Sequence, residues 1–187
     1  MVAALAAAIG FLAVQRLAPS ANVAEPVPIG GPFRLTSEAG KPITDADLLG
    51  KPFALYFGFT RCPDVCPTSM ADVAVLLQRL GPLAADFRVY FVSVDPERDT
   101  AALLAEYTDA FDPRIVGLTG TPDEIAAIAK VYRAYYRKVP TSQGDYTMDH
   151  TATIYLMDAQ GRFAATIAYQ EAADTALAKL RRLLGPE

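Results

Sequence analysis

Histidine occurs once in the 187 residues, at position 150, and cysteine only twice, at positions 62 and 66. A single histidine excludes any histidine-rich metal site. Two cysteines are too few for a disulfide scaffold, and a core of this size needs none. Tryptophan is absent, so nine Tyr and nine Phe carry the aromatic load. A surplus of basic charge is missing too. The net charge of -4 and pI ≈ 5.0 leave no basic face for nucleic-acid phosphates, and no nucleic-acid partner is expected. The 52% of hydrophobic and 20% of charged residues describe a folded chain rather than a disordered one. Its length suits one domain better than two.

The first residues differ from the rest. Met1 to Val14 (MVAALAAAIGFLAV) carry no charged or strongly polar side chain before Gln15 and Arg16 interrupt the run. A spanning helix needs about 20 residues. Continuing through Leu17 and Ala18, with Arg16 snorkelling, brings the segment near the lower limit. We therefore read residues 1–18 as an uncleaved transmembrane anchor. A cleaved signal peptide is the alternative, disfavoured because no well-formed small-x-small site precedes Ala18, Ala21 or Ala24. No cysteine follows the run, which excludes a lipoprotein anchor. Residues 19–32 hold prolines at 19, 26, 28 and 32 beside Gly30 and Gly31, the composition of an extended linker. Residues 33–187 form the domain, which the anchor would hold outside the cytoplasm, on the periplasmic side in a bacterium.

Within the domain, strand and helix signals alternate. Phe53–Phe59 (FALYFGF) is an unbroken apolar run of central-strand length. Thr68–Leu80 carries apolar residues at 70, 73, 76, 77 and 80, a helical stripe that Gly81 and Pro82 end. Phe87–Val94 reads as a second central strand, Thr100 as the cap of a helix over Ala101–Phe111, and Ile115–Leu118 as a short strand. Thr121-Pro-Asp-Glu124 is a capping box opening a helix that we extend to about Tyr136. Thr151–Met157 and Phe163–Tyr169 form a hairpin through Asp158–Gly161, and Asp174–Leu184 is a closing helix. The order describes an α/β fold with a central mixed sheet flanked by helices, of the thioredoxin-like kind.

The chemistry concentrates in Gly58-Phe-Thr-Arg-Cys62-Pro-Asp-Val-Cys66-Pro-Thr-Ser69, which follows a buried strand and opens a helix. In α/β sheets, sites are built at the carboxyl ends of strands. Pro67 biases Cys66 away from the helical region, placing Cys66 at the cap and Pro67 at the first helical position. A sulfur there faces free N–H groups, so Cys66 is the expected low-pKa thiolate. Thiolate is the form that attacks disulfides and the form that binds metal. Three intervening residues leave the sulfurs close enough to bridge or to chelate one ion. A purely structural disulfide is a weak alternative, because so short a loop constrains the unfolded chain little. Two thiolates suit Cu(I), zinc or an iron–sulfur cluster, but structural zinc wants four ligands. Only His150 remains as a soft or borderline third ligand, which makes a three-coordinate site acceptable to copper. We expect His150 in a loop before the strand Thr151–Met157.

Together, FGFTRCPDVCP (57–67), VSVDPERDT (92–100), GLTGT (117–121) and MDHT (148–151) resemble the Sco/SenC copper proteins that serve cytochrome c oxidase assembly, across essentially the whole domain. The resemblance implies one Cu(I) or Cu(II) per chain on Cys62, Cys66 and His150. It also implies delivery of copper to the dinuclear copper site of oxidase subunit II, other copper chaperones being further partners. Its alternative is reduction of that site's cysteines, with Cys62 and Cys66 as a redox pair that forms a disulfide. Asp95 and Asp149 match acidic positions of the family. From the residues, Asp95 ends a strand and plays a capping or supporting role, and Asp149 points away from His150. A peroxide-reducing enzyme of the same fold is a third possibility, weakened by the closeness of the second cysteine.

Overall fold

The computed structural model describes residues 28–142 and 144–185. The anchor assigned to residues 1–18 and most of the linker lie outside the described residues. Among the described residues no helix is long and apolar enough to cross a membrane.

The strands are β1 (Arg34–Ser37), β2 (Pro42–Thr44), β3 (Phe53–Gly58), β4 (Arg88–Ser93), β5 (Ile115–Thr119), β6 (Tyr136–Pro140), β7 (Tyr146–His150), β8 (Ile154–Met157) and β9 (Phe163–Ile167). The helices are α1 (Val65–Leu80), α2 (Ala101–Asp109), α3 (Pro122–Tyr132) and α4 (Ala173–Leu184). Seven strands make one mixed sheet in the order β2-β1-β5-β4-β3-β8-β9. Its middle, β3, β4 and β5, is parallel, and β8 runs antiparallel to β3. The expected α/β fold with a central mixed sheet and flanking helices is therefore present.

All six residues of β3 are buried, because helices cover both faces of the sheet at this strand. Ala54 lies against Val73, Leu76 and Leu77 of α1 and Leu180 of α4. Phe57, on the opposite face, packs on Tyr132 of α3 with ring centroids 6.0 Å apart. Full burial of such side chains contributes about 1.5–3 kcal/mol each, so β3 is the least movable element on which to build a site. Gly58 ends it for a steric reason. A Cβ there would come within 2.8 Å of both the Tyr56 and the Phe91 rings. The packed domain also begins before Phe33, since Ile29 joins the core cluster and Gly30 donates to the Val131 carbonyl at 2.9 Å.

Several element ends shift from the sequence reading, β8 starting at Ile154 and not Thr151, and the larger departures lie in the segment that leads to His150. Helix α3 stops at Tyr132, not Tyr136, because Arg133 takes a left-handed conformation (φ 54°). Neither glycine nor proline announces this, and Tyr135 and Tyr136 carry the helical apolar spacing past the true end. The chain then forms a separate two-stranded ribbon, β6–β7, in which Tyr136 pairs with His150. Its residues are largely half-buried or exposed, so they lack the alternation that marks a strand. His150 accordingly ends a strand of this ribbon instead of lying in a loop before β8.

Candidate metal centre

The loop after β3 carries the cysteines, and long-range hydrogen bonds fix it. Thr60 donates its N–H (3.0 Å) and its hydroxyl (2.6 Å) to the Asp99 carboxylate, which also accepts from the Ser93 hydroxyl at 2.6 Å. Asp99 is buried. An unpaired carboxylate there would be costly, and three donors remove that cost. Cys62 closes a tight turn by donating its N–H to the Phe59 carbonyl at 3.2 Å. Helix α1 begins at Val65 with Asp64 as cap, so Cys66 occupies the second helical position and Pro67 the third. This corrects the expected cap at Cys66. The first turn needs no intrahelical N–H donors, so proline is tolerated at the third position and does not force the cap onto its neighbour.

The shift changes which sulfur is the thiolate. The Cys66 N–H, free at the helix start, points at Cys62 Sγ at 3.3 Å. The Cys66 thiol donates to Cys62, and the backbone N–H groups of Cys66 and Asp64 add to it. Together they hold the Cys62 thiol down to about 4 against its partial burial. Cys66 moves the other way, raised by its hydrogen bond to Cys62 and by burial. The pair thus keeps one proton, on the buried sulfur, and exposes a thiolate at Cys62 rather than at Cys66. Alkylation of the reduced, metal-free protein by iodoacetamide should therefore modify Cys62 first. The rate should stay level from pH 8 to about 5 and fall about tenfold per unit below pH 4, where an ordinary thiol (pKa ≈ 8.5) would be losing rate throughout. Peptide mapping of the labelled cysteine checks both points.

His150 reaches the pair from the ribbon. Its Nδ1 lies 3.2 Å from the Thr151 carbonyl and its Nε2 3.3 Å from Cys66 Sγ. A carbonyl only accepts, so Nδ1 carries the proton and the Nε2 lone pair faces the sulfurs, the tautomer a metal ligand requires. The ring is wedged edge-on between Phe59 and Tyr56, with centroids 5.7 and 6.1 Å away. The ligand atoms of Cys62, Cys66 and His150 all lie within 4.8 Å of one another, and among the described residues no further Cys, His, Asp or Glu joins this group. Two soft sulfurs and one imidazole fit copper and fall one ligand short of structural zinc.

The model of the SCO1/SenC family matches residues 21–185. An Arabidopsis thaliana protein named mitochondrial SCO1 homolog 1 is 43% identical over 146 residues, 78% of this chain and 43% of its own length. The chain belongs to the SCO1/SenC family. The solved structure of Bradyrhizobium japonicum ScoI with copper bound is 50% identical, with TM-score 0.77, over 83% of this chain and 99% of that one. Yeast Sco1 with copper bound is 36% identical, with TM-score 0.79, over 86% and 90%. The chain spans about half the length of the curated relatives it matches. Its fold is that of these Sco structures, and Cys62, Cys66 and His150 form a candidate copper site in it.

What holds His150 in this Sco domain was not legible in the sequence. Buried Asp95 pairs with Arg98 Nε and accepts from the Tyr146 hydroxyl at 2.8 Å. Arg98 also donates to the Tyr146 carbonyl at 2.8 Å, and its guanidinium stacks 3.7 Å from the centroid of the Tyr146 ring. This clamp fastens the start of β7 to the β4–α2 loop and so aims the far end of β7 at the cysteines. Asp95 thus supports the ribbon through one neighbour, Arg98, and one partner 51 residues away, Tyr146, that no local pattern could reveal. Asp149 is exposed and paired with Arg137 at 2.8 Å, facing away from the sulfurs.

Proposed function

We propose that this domain binds one copper ion through Cys62, Cys66 and His150 and delivers it to the dinuclear copper site of cytochrome c oxidase subunit II. The observation that carries the reading is the donor set itself. One sulfur is already a thiolate, one is buried with a proton to give up, and one imidazole lone pair is fixed by a hydrogen bond behind it. Copper held there would supply a soft ion able to pass between Cu(I) and Cu(II). The chain's own part would be to release one proton, from Cys66, as the ion binds, to keep the ring in the ligating tautomer, and to leave Cys62 half-exposed so that a partner's ligands can attack from solvent. Sco proteins of this fold are described as cytochrome c oxidase assembly proteins, which supports the choice of partner. Residues 1–18 would anchor the domain on the side of the membrane where that copper site is assembled.

The unequal cysteines favour one second reading. An exposed low-pKa thiolate beside a buried protonated thiol is the arrangement of an attacking and a resolving cysteine. The domain would then reduce the cysteines of the oxidase site. The His150→Ala variant separates the two readings. Under reducing conditions copper affinity should fall more than the about 10–100-fold that loss of an outer partner costs, while exchange with a mixed-disulfide substrate should change only a few fold. Copper affinity left intact by His150→Ala, with exchange lost only in the cysteine variants, would decide for the reductase.

A further inference from the structure

Three large apolar side chains stay exposed at the end of the sheet opposite the metal centre. The cysteine loop follows the carboxyl end of β3. Leu49 precedes β3 at its amino end and is 51% exposed, and Leu83 (42%) precedes the parallel strand β4 at the same end. Because β8 runs antiparallel to β3 with Met157 opposite Phe53, the β8–β9 turn and Phe163 (40% exposed) lie there too. Leu49 and this turn are neighbours. A Cβ on Gly161 would come within 2.9 Å of Leu49 Cδ2, and Gly50 donates to the Ala159 carbonyl at 2.8 Å. Bases accompany them. Exposed Lys51 and Arg162 pair with Asp86 and Asp158. Arg88 opens β4 and spends its guanidinium on the Ala85 and Phe87 carbonyls, while exposed Arg182 lines a cleft with Asp158 and Leu183. Neither Arg88 nor Arg182 forms an ion pair among the described residues.

The chain enters the domain at this same end. A Cβ on Gly30 would lie 3.0 Å from Met157 Cε and 3.6 Å from the Gly161 carbonyl oxygen. Residues 19–27 are all that separate this entry from the apolar segment 1–18, and even fully extended they span about 30 Å. On so short a tether, the end that carries the entry is the first to meet the bilayer. We propose that this end docks on the membrane surface, with Leu49 and Phe163 entering the boundary between headgroups and acyl chains and Arg88 and Arg182 meeting anionic headgroups. This rests on reading residues 1–18 as an anchor. The six residues of β3, at about 3.3 Å each, then hold the cysteine loop about 20 Å clear of that face. The metal centre would stand in the aqueous space, where the ligands of a globular partner reach it.

The chain has no tryptophan, so one introduced indole reports on one place. Full-length Leu49→Trp, Phe163→Trp and Leu103→Trp are each reconstituted into vesicles of phosphatidylcholine and phosphatidylglycerol, with and without bromine on the acyl chains, and recovered by flotation. Leu103 serves as the control because it is 43% exposed in the first turn of α2, at the metal end of the sheet. Brominated lipid should quench Leu49→Trp and Phe163→Trp about twofold, since an indole in the boundary layer touches the acyl chains. It should leave Leu103→Trp unchanged. Vesicles of phosphatidylcholine alone should give weaker quenching at Leu49→Trp and Phe163→Trp, because the arginines lose their anionic partners. A domain that merely hangs near the bilayer would show no quenching at any position. That result, or quenching at Leu103→Trp as strong as at the other two, overturns docking at this end and leaves the anchor standing. Quenching that is the same without phosphatidylglycerol overturns the part given to Arg88 and Arg182. Protein that fails to float with the vesicles overturns the anchor and this orientation with it.

Discussion

Asp95→Ala should destabilise the domain by about 3 kcal/mol, the lower end of the cost of removing one partner from a buried ion pair. The lower end applies because Arg98 keeps the Tyr146 carbonyl and the outlying carboxylate of Asp145, 3.3 Å from its Nη1. Asp95 itself is fully buried and the Arg98 side chain is only 12% exposed, so solvent would compensate little of what is lost. Urea unfolding should show the midpoint falling by about 1–2 M at unchanged slope. Copper affinity should fall as well, although Asp95 touches none of the three ligands, because the same change removes the acceptor of the Tyr146 hydroxyl and the anchor of Arg98, so the ribbon holds His150 less firmly. Asp149→Ala is the internal control. It lies next to His150 in sequence but forms an exposed pair with Arg137, so its loss should leave the urea midpoint nearly where it is. A copper loss in Asp149→Ala as large as in Asp95→Ala would mean that the clamp does not position the ring.

The second large effect separates the two jobs of Cys66. Cys66→Ala and Cys66→Ser should both abolish tight copper binding, since each removes a thiolate ligand. Their effect on Cys62 should differ. The first cause of the lowered Cys62 value is the proton that Cys66 donates to it, and a serine hydroxyl can make the same donation whereas a methyl group cannot. In Cys66→Ala the Cys62 pKa should therefore rise toward that of a free thiol, and its iodoacetamide rate at pH 6 should drop. Cys66→Ser should keep Cys62 fast. Equal rates in the two variants would shift the credit from the Cys66 thiol to the helix N–H groups. The distinction bears on both functional readings, since a chaperone and a reductase alike need Cys62 charged at neutral pH.

Copper loading is also a protonation event. Cys62 enters as thiolate, so only the Cys66 proton has to leave. Burial and the hydrogen bond to Cys62 both hold that proton in place.

The sequence by itself determined what depends on neighbours along the chain. The strand–loop–helix run from Phe53 to Leu80, the Thr121–Glu124 capping box and the β8–β9 hairpin are set by local apolar period, capping and turn residues. The cysteine pair is legible for the same reason, its two sulfurs being four positions apart. His150 was found by elimination, as the only histidine. Tertiary structure alone decided the rest. The helix start two residues earlier turned the free N–H of Cys66 onto Cys62 and exchanged the roles of the two thiols. Arg133 ended α3 without a sequence signal, and a ribbon with little apolar surface of its own took shape because Asp95 and Arg98 clamp Tyr146. The clamp on Tyr146 joins residues 48 to 51 positions apart and brings His150 to Cys66, 84 positions away. Closing such loops is stabilised only by partners that meet in the folded state, and no local pattern encodes them.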